Sequence, residues 1–108
     1  MQWIPLSSEA QLQEIITKSQ TKPQVIFKHS TRCSISAVAL QRLQKATQPE
    51  GLDFYFLDLL AHRPISAKVA EIFKVHHESP QVLIIKGGEC VFDESHLAIS
   101  MNEIVEQA

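Results

Sequence analysis

Residues 24–43, QVIFKHSTRCSISAVALQRL, carry the decision about the fold. Gln24-Val25-Ile26-Phe27-Lys28, set off by Pro23, is a β-branched and aromatic run that suits a buried strand. From Ser34 to about Ala46 the period turns helical, with Ile35, Val38, Ala39, Leu43 and Ala46 on one side and Gln41, Arg42, Gln44 and Lys45 on the other. Between them sits a short polar loop holding one thiol, Cys33. A strand that feeds a helix through such a loop is half of a βαβ unit, so the rest of the chain must supply parallel neighbours.

Working outward, the chain supplies them. Upstream, Trp3-Ile4 reads as a short strand before a helix from about Glu9 to Ser19, where Ser8 and Gln11 resemble a capping box and Leu12, Ile15 and Ile16 share a face. Downstream, Pro49 and Gly51 stop the Cys33 helix, and Leu52 to Leu60, LDFYFLDLL, has the apolar density of a strand covered on both faces. Pro64 suits the first turn of a third helix, whose buried stripe is Ile65, Val69, Ile72 and Phe73. After Ser79-Pro80, Gln81 to Lys86 and Glu89 to Phe92 are two strand-like runs joined by Gly87-Gly88, a hairpin signal because glycine accepts the positive φ of tight turns. A last helix, roughly Ser100 to Glu106, turns Met101, Ile104 and Val105 inward. The order β-α-β-α-β-α-β-β-α predicts one α/β domain over residues 1–108, a central mixed sheet flanked by helices.

Composition narrows the function. Ten Lys plus Arg against twelve Asp plus Glu, scattered along 108 residues, leave a net charge of −2 and no basic footprint for nucleic acid or an anionic membrane. MQWIPLSSEAQLQ lacks the charged and apolar regions of a secretory signal, and no apolar run approaches a membrane span, so a cytoplasmic location is expected. Cys33 and Cys90 lie far apart and form no C-x-x-C pair, and a reducing cytosol disfavours a disulfide between them.

Cys33 stands where an α/β sheet collects its reactive groups, at the C-terminal end of a strand. The following helix start offers free backbone N–H groups and the positive end of its dipole, both favouring a thiolate, and Arg32 adds a positive charge. The thiolate is the nucleophile of disulfide exchange. The plainer reading, a packed thiol, fits poorly with Ser30, Thr31, Arg32 and Ser34 as neighbours. For Cys90, beside Val91 and Phe92, packing is the better reading.

Pro80 opens a strongly apolar strand after a loop, a place for either a trans proline or a cis one in a tight turn. A strand, a Cys at a helix start, a second βα unit, then a Pro opening a hairpin that leads to a helix is the layout of the thioredoxin fold. HSTRCSIS (29–36) resembles the active-site segment of the YtxJ-type monothiol bacilliredoxins, whose usual pattern is T-C-P-I-S, and HESPQ (77–81) resembles their cis-Pro segment. The likeness spans nearly the whole chain. It implies a cis Pro80 facing the active cysteine, with Cys33 as nucleophile and Ser79 and Pro80 shaping the substrate groove. It also implies removal of bacillithiol, or a similar low-molecular-weight thiol, from S-thiolated proteins, the thiol being a co-substrate and no cofactor remaining bound. The chain departs from the pattern at Arg32 and Ser34, which leaves the nucleophile intact and opens the question of partner preference.

Ser36 occupies the place of the resolving thiol in a dithiol oxidoreductase, so any exchange must be monothiol. Its hydroxyl either donates to the thiolate across the first helical turn or is an ordinary polar group near a helix start. Thr31 either contacts a partner or serves the loop as Ser and Thr commonly do before helices. Together Thr31, Arg32, Ser34, Ser36, Ser79 and Pro80 form the expected substrate-binding set around Cys33. His29, four residues before Cys33, either stabilises the thiolate as imidazolium or is satisfied by backbone groups. The five histidines complete no recognised ligand pattern, and no metal is expected. A binding module with a vestigial Cys33, or a thiol sensor that does not turn over, stands as the alternative to an enzyme.

Overall fold

A computed structural model describes residues 1–108. Five strands and four helices alternate as expected: β1 (Ile4–Pro5), α1 (Glu9–Lys18), β2 (Gln24–His29), α2 (Ser34–Lys45), β3 (Asp53–Asp58), α3 (Arg63–Phe73), β4 (Gln81–Lys86), β5 (Glu89–Ser95) and α4 (Met101–Gln107), with a single 3₁₀ turn at His96–Ala98. They build one sheet in the order β1-β3-β2-β4-β5. β1 and β2 run parallel to β3, while β4 is antiparallel to both β2 and β5. No helix is long and apolar enough to cross a membrane.

Side chains alternate across a strand, so the central strands feed two cores. Ile26, Tyr55, Leu57, Leu83 and Ile85 face Leu12 and Ile15 of α1 and Ile65, Val69 and Phe73 of α3. Val25, Phe27, Phe54, Val82 and Ile84 face Ala39 and Leu43 of α2 and Ile104 of α4. Every residue of β2 is buried, as a doubly covered strand requires. The sheet-edge strand β5 alternates in exposure instead.

The hairpin is built as its glycines demand. Gly87 and Gly88 have φ of +63° and +81°, the two positive values of a tight two-residue turn. The turn is tied to the end of α1: the Gly87 N–H donates to the Ser19 carbonyl and the Gly88 N–H to Ser19 Oγ, each at 2.8 Å. Ser19 is therefore the buried C-cap of α1, one residue beyond the helix.

Three helix faces differ from expectation. Ile35 and Val38 are 39% and 40% exposed, and the inward face of α2 is Ser36, Ala39 and Leu43. At 100° per residue these last three fall on one line at i, i+3 and i+7, which rotates Ile35 and Val38 to the flank. Ile72 and Val105 likewise lie on the surface, while Val69, Phe73 and Ile104 carry their helices. The apolar residues outnumber the positions that one face can bury.

Candidate functional site

The loop after β2 is shaped by its own backbone. The Cys33 N–H donates to the Ser30 carbonyl at 3.2 Å, closing a turn, and the Cys33 carbonyl accepts from the Ala37 N–H at 3.1 Å, opening α2. Cys33 is thus the N-cap of a twelve-residue helix, extended at φ −108° and ψ 119°. It is partly exposed, and its sulfur has no cap hydrogen bond, so the thiol is not consumed by the structure that holds it. Thr31, Arg32 and Ser34 around it are exposed, and their side chains make no hydrogen bond or ion pair. They are free to meet a partner.

The second strand of the site arrives by register. Lys28 pairs with Gln81 across the antiparallel β2–β4 ladder, so Pro80 stands beside the end of β2 from which the Cys33 loop departs. The Ser79–Pro80 peptide is cis, as the resemblance implied. The Pro80 carbonyl accepts from the His96 N–H at 3.0 Å, while Ser79 Oγ is buried without a partner. His96 Nε2 lies 3.5 Å from Glu78 Oε2, bracketing the same loop from the other side.

Ser36 is where the sequence reading needs correcting. It is fully buried, and its Oγ lies 2.7 Å from His29 Nδ1 while accepting the Ser30 N–H at 3.0 Å. The hydroxyl is closed to a substrate and is engaged by Ser30 and His29 instead of the thiolate; it pins the strand end to the first turn of the helix. His29 is buried too, packed against Phe27 and Phe56. Burial holds it below the usual imidazole range, with Asp58 and Ser36 opposing, so at neutral pH it is uncharged. It therefore supplies no imidazolium to Cys33, and its partner is a side chain instead of the backbone groups considered above.

Cys90 is at the other end of the sheet. Its neighbour in the ladder is Ile85, which in turn pairs with Gln24, the first residue of β2. The length of β2, roughly 16 Å at about 3.3 Å per residue, therefore separates it from the Cys33 loop. A disulfide needs Cα atoms about 4.4–6.8 Å apart, so Cys90 is out of reach of Cys33. Burial pushes the Cys90 thiol up to about 11, and its Sγ donates to the Phe92 carbonyl at 3.3 Å.

One feature escaped the sequence reading. Lys28 is fully buried, with its Nζ 3.2 Å from His77 Nδ1 and no carboxylate within ion-pair distance. Its signal was present in the sequence, a lysine inside a run that must be covered on both faces. No group of three His, Cys, Asp or Glu side chains converges anywhere on a geometry that could hold a metal ion.

Comparison with known proteins agrees with this geometry. Residues 4–104 match the family model of the monothiol bacilliredoxin BrxC. A solved structure provisionally described as an oxidoreductase with a thioredoxin fold is 32% identical, with a TM-score of 0.84 over 96% of this chain and 91% of that one. Thioredoxin from Fasciola hepatica is 18% identical, with a TM-score of 0.75 over 96% and 98% of the two chains. Thioredoxin from Trypanosoma brucei brucei is 15% identical, with a TM-score of 0.74 over 97% and 92%. The two thioredoxins bear on the fold alone.

Proposed function

The chain belongs to the monothiol bacilliredoxin BrxC family of thiol oxidoreductases, and from that premise we propose that Cys33 removes a low-molecular-weight thiol, bacillithiol or a close analogue, from S-thiolated proteins. The observation that carries the reading is the solitary thiol: a partly exposed Cys33 at the start of α2, with the only other cysteine at the far end of the sheet.

The Cys33 thiolate attacks the small thiol's sulfur in the mixed disulfide. The Cys33–small-thiol S–S bond forms as the protein–small-thiol S–S bond breaks, and the protein sulfur leaves as a thiolate that takes a proton. A second small-thiol thiolate then attacks the sulfur on Cys33, releasing a symmetric small disulfide and restoring Cys33. One protein disulfide is reduced for two small thiols joined, so the electrons balance with no bound cofactor. Thr31, Arg32 and Ser34 meet the incoming protein, and Ser79 and Pro80 form the opposite wall.

The test is mass spectrometry after incubation with an S-bacillithiolated protein and, in parallel, a glutathionylated one, using wild type and Cys33→Ala. Transfer of bacillithiol onto Cys33 with release of reduced target supports the reading. Absence of both adducts from correctly folded wild type sinks it in favour of a binding module, and an adduct that a second thiol never displaces makes the protein a sensor.

A further inference from the structure

Arg63, Ser66, Ala67 and Ala70 of α3, Leu59 just after β3 and His77 line a surface cavity of about 370 Å³. No carboxylate lines it, and the Arg63 guanidinium has no acidic partner within ion-pair distance. Behind His77 stands the buried ammonium of Lys28, likewise without a carboxylate. Glu78, next in sequence to His77, is turned to His76 and His96. Asp58 is engaged by the Leu60 and Ala61 N–H groups, and its position in β3 puts it on the other face of the sheet from Leu57.

The Lys28 ammonium has no acceptor capacity, so it donates to His77 Nδ1, and the neutral imidazole then carries its proton on Nε2 as a donor. Burial first, and then the Lys28 charge, hold His77 below the usual imidazole range, which keeps it in that neutral form. One permanent cation, a second cation behind the wall and an oriented N–H donor meet in a cavity with no anion. An uncompensated buried ammonium is unfavourable in the folded protein, and a ligand that brings negative charge offsets it.

The cavity wall is also tied through the backbone to the loop that carries Cys33. The Leu59 N–H donates to the His29 carbonyl at 3.0 Å, and the Cys33 N–H donates to the carbonyl of the next residue, Ser30. Two backbone hydrogen bonds thus lead from the cavity wall to Cys33, and His77 lies two residues from Ser79 at the wall of the groove.

We propose that this cavity receives the oxyanion, carboxylate or phosphate, of the low-molecular-weight thiol whose sulfur passes to Cys33, with Arg63 as its principal charge partner. This rests on the transfer reading given above. The test measures transfer rates to Cys33 from reporter-peptide mixed disulfides of bacillithiol (carboxylate-bearing), phosphopantetheine (phosphate-bearing) and pantetheine (neither), in wild type and Arg63→Gln. Arg63 is exposed at the start of α3, so its replacement leaves the core intact. Wild type is expected to favour one charged donor over pantetheine by about tenfold or more, the worth of a charged hydrogen bond, and Arg63→Gln to erase that preference while leaving pantetheine unchanged. The preferred donor identifies the oxyanion. Equal rates for all three donors in wild type, or an equal slowing of all three by Arg63→Gln, overturns the assignment while leaving the transfer reading standing. Wild type that accepts none of the three overturns the transfer reading and the cavity assignment with it.

Discussion

The two ends of β2 carry similar residues in opposite states. At the Gln24 end, the Lys22 ammonium meets Asp53 Oδ1 at 2.9 Å, and Gln24 Nε2 donates to Asp53 Oδ2 at 2.9 Å. Burial pushes the Asp53 carboxyl up, but these bonds outweigh it and hold the group below its ordinary range. The nearby cysteine, Cys90, is half buried and hydrogen-bonded. At the His29 end, the lysine is buried with no counter-charge and the cysteine is partly exposed with its sulfur unengaged. Local strand physics is the same at both ends. The difference is that one end closes its polar groups on one another and the other leaves a charge and a nucleophile for something outside the chain.

The sharpest way to break this comparison is to remove each cysteine. Cys33→Ala is expected to abolish small-thiol transfer, and Cys90→Ala to leave its rate within about twofold, since it lies beyond disulfide reach of the site. A Cys90→Ala protein that forms its Cys33 adduct but fails to discharge it would make the far thiol a resolving group and the contrast false. A smaller effect is expected in alkylation. With its thiol at about 11, Cys90 is ionised to about one part in ten thousand at pH 7, and peptide mapping after brief iodoacetamide treatment should find Cys33 labelled at least tenfold faster.

The lysines sharpen the contrast energetically. Burial lowers Lys28 to about 8, so between about pH 8 and its unfolded value of 10.5 the unfolded chain binds more protons than the folded one. Stability from this group accordingly rises with pH across that window, and below it the folded state bears the full cost of the charge. Lys28→Met removes that cost and is expected to raise unfolding free energy at pH 7 by up to roughly 3 kcal/mol, at 1.36 kcal/mol per unit, with the gain fading above pH 10. Lys22→Met, which breaks a part-exposed pair, should change it by about 1 kcal/mol or less in the destabilising direction. Urea titrations of both variants at pH 7 and pH 10 decide it. A Lys28→Met protein less stable than wild type at pH 7 would show that the ammonium is compensated after all.

Most of the architecture was legible because it is written in local signals. The apolar runs of β2, β3 and β4 are too dense for a half-exposed sheet, Gly87-Gly88 requires a hairpin, and Pro64 starts a helix. The position of Cys33 followed from the same signals, since a strand that ends just before a helix start leaves few places for the residues between. What was not legible depends on rotation and on distant partners. Whether α2 turns Ile35 or Ser36 inward is a matter of about 100°, and hydrophobicity alone chose the wrong residue. The Lys28–His77 contact joins residues 49 apart and is set only when the α3–β4 loop folds back beside β2.

Ser36 gives the last and finest test, because it decides whether the reactive end of β2 is itself held by closed polar contacts beneath the open thiol. Ser36→Ala removes the one partner of the buried Ser30 N–H and leaves His29 Nδ1 unpaired, an expected loss of about 1–3 kcal/mol in urea unfolding. His29 has its folded pKa lowered, so stability from this group is lost as pH falls through the unfolded value of about 6.5, where the unfolded chain takes up a proton that the folded one resists. The Ser36 backbone, which favours the charged form, is kept in the variant, so that acid sensitivity should persist in it. Transfer to Cys33, measured per folded molecule, should stay within about threefold of wild type, because Ser36 is walled off from the thiol's partner. A collapse of transfer at unchanged stability would instead make the buried hydroxyl part of the chemistry, and the firm floor and open thiol would then be a single device.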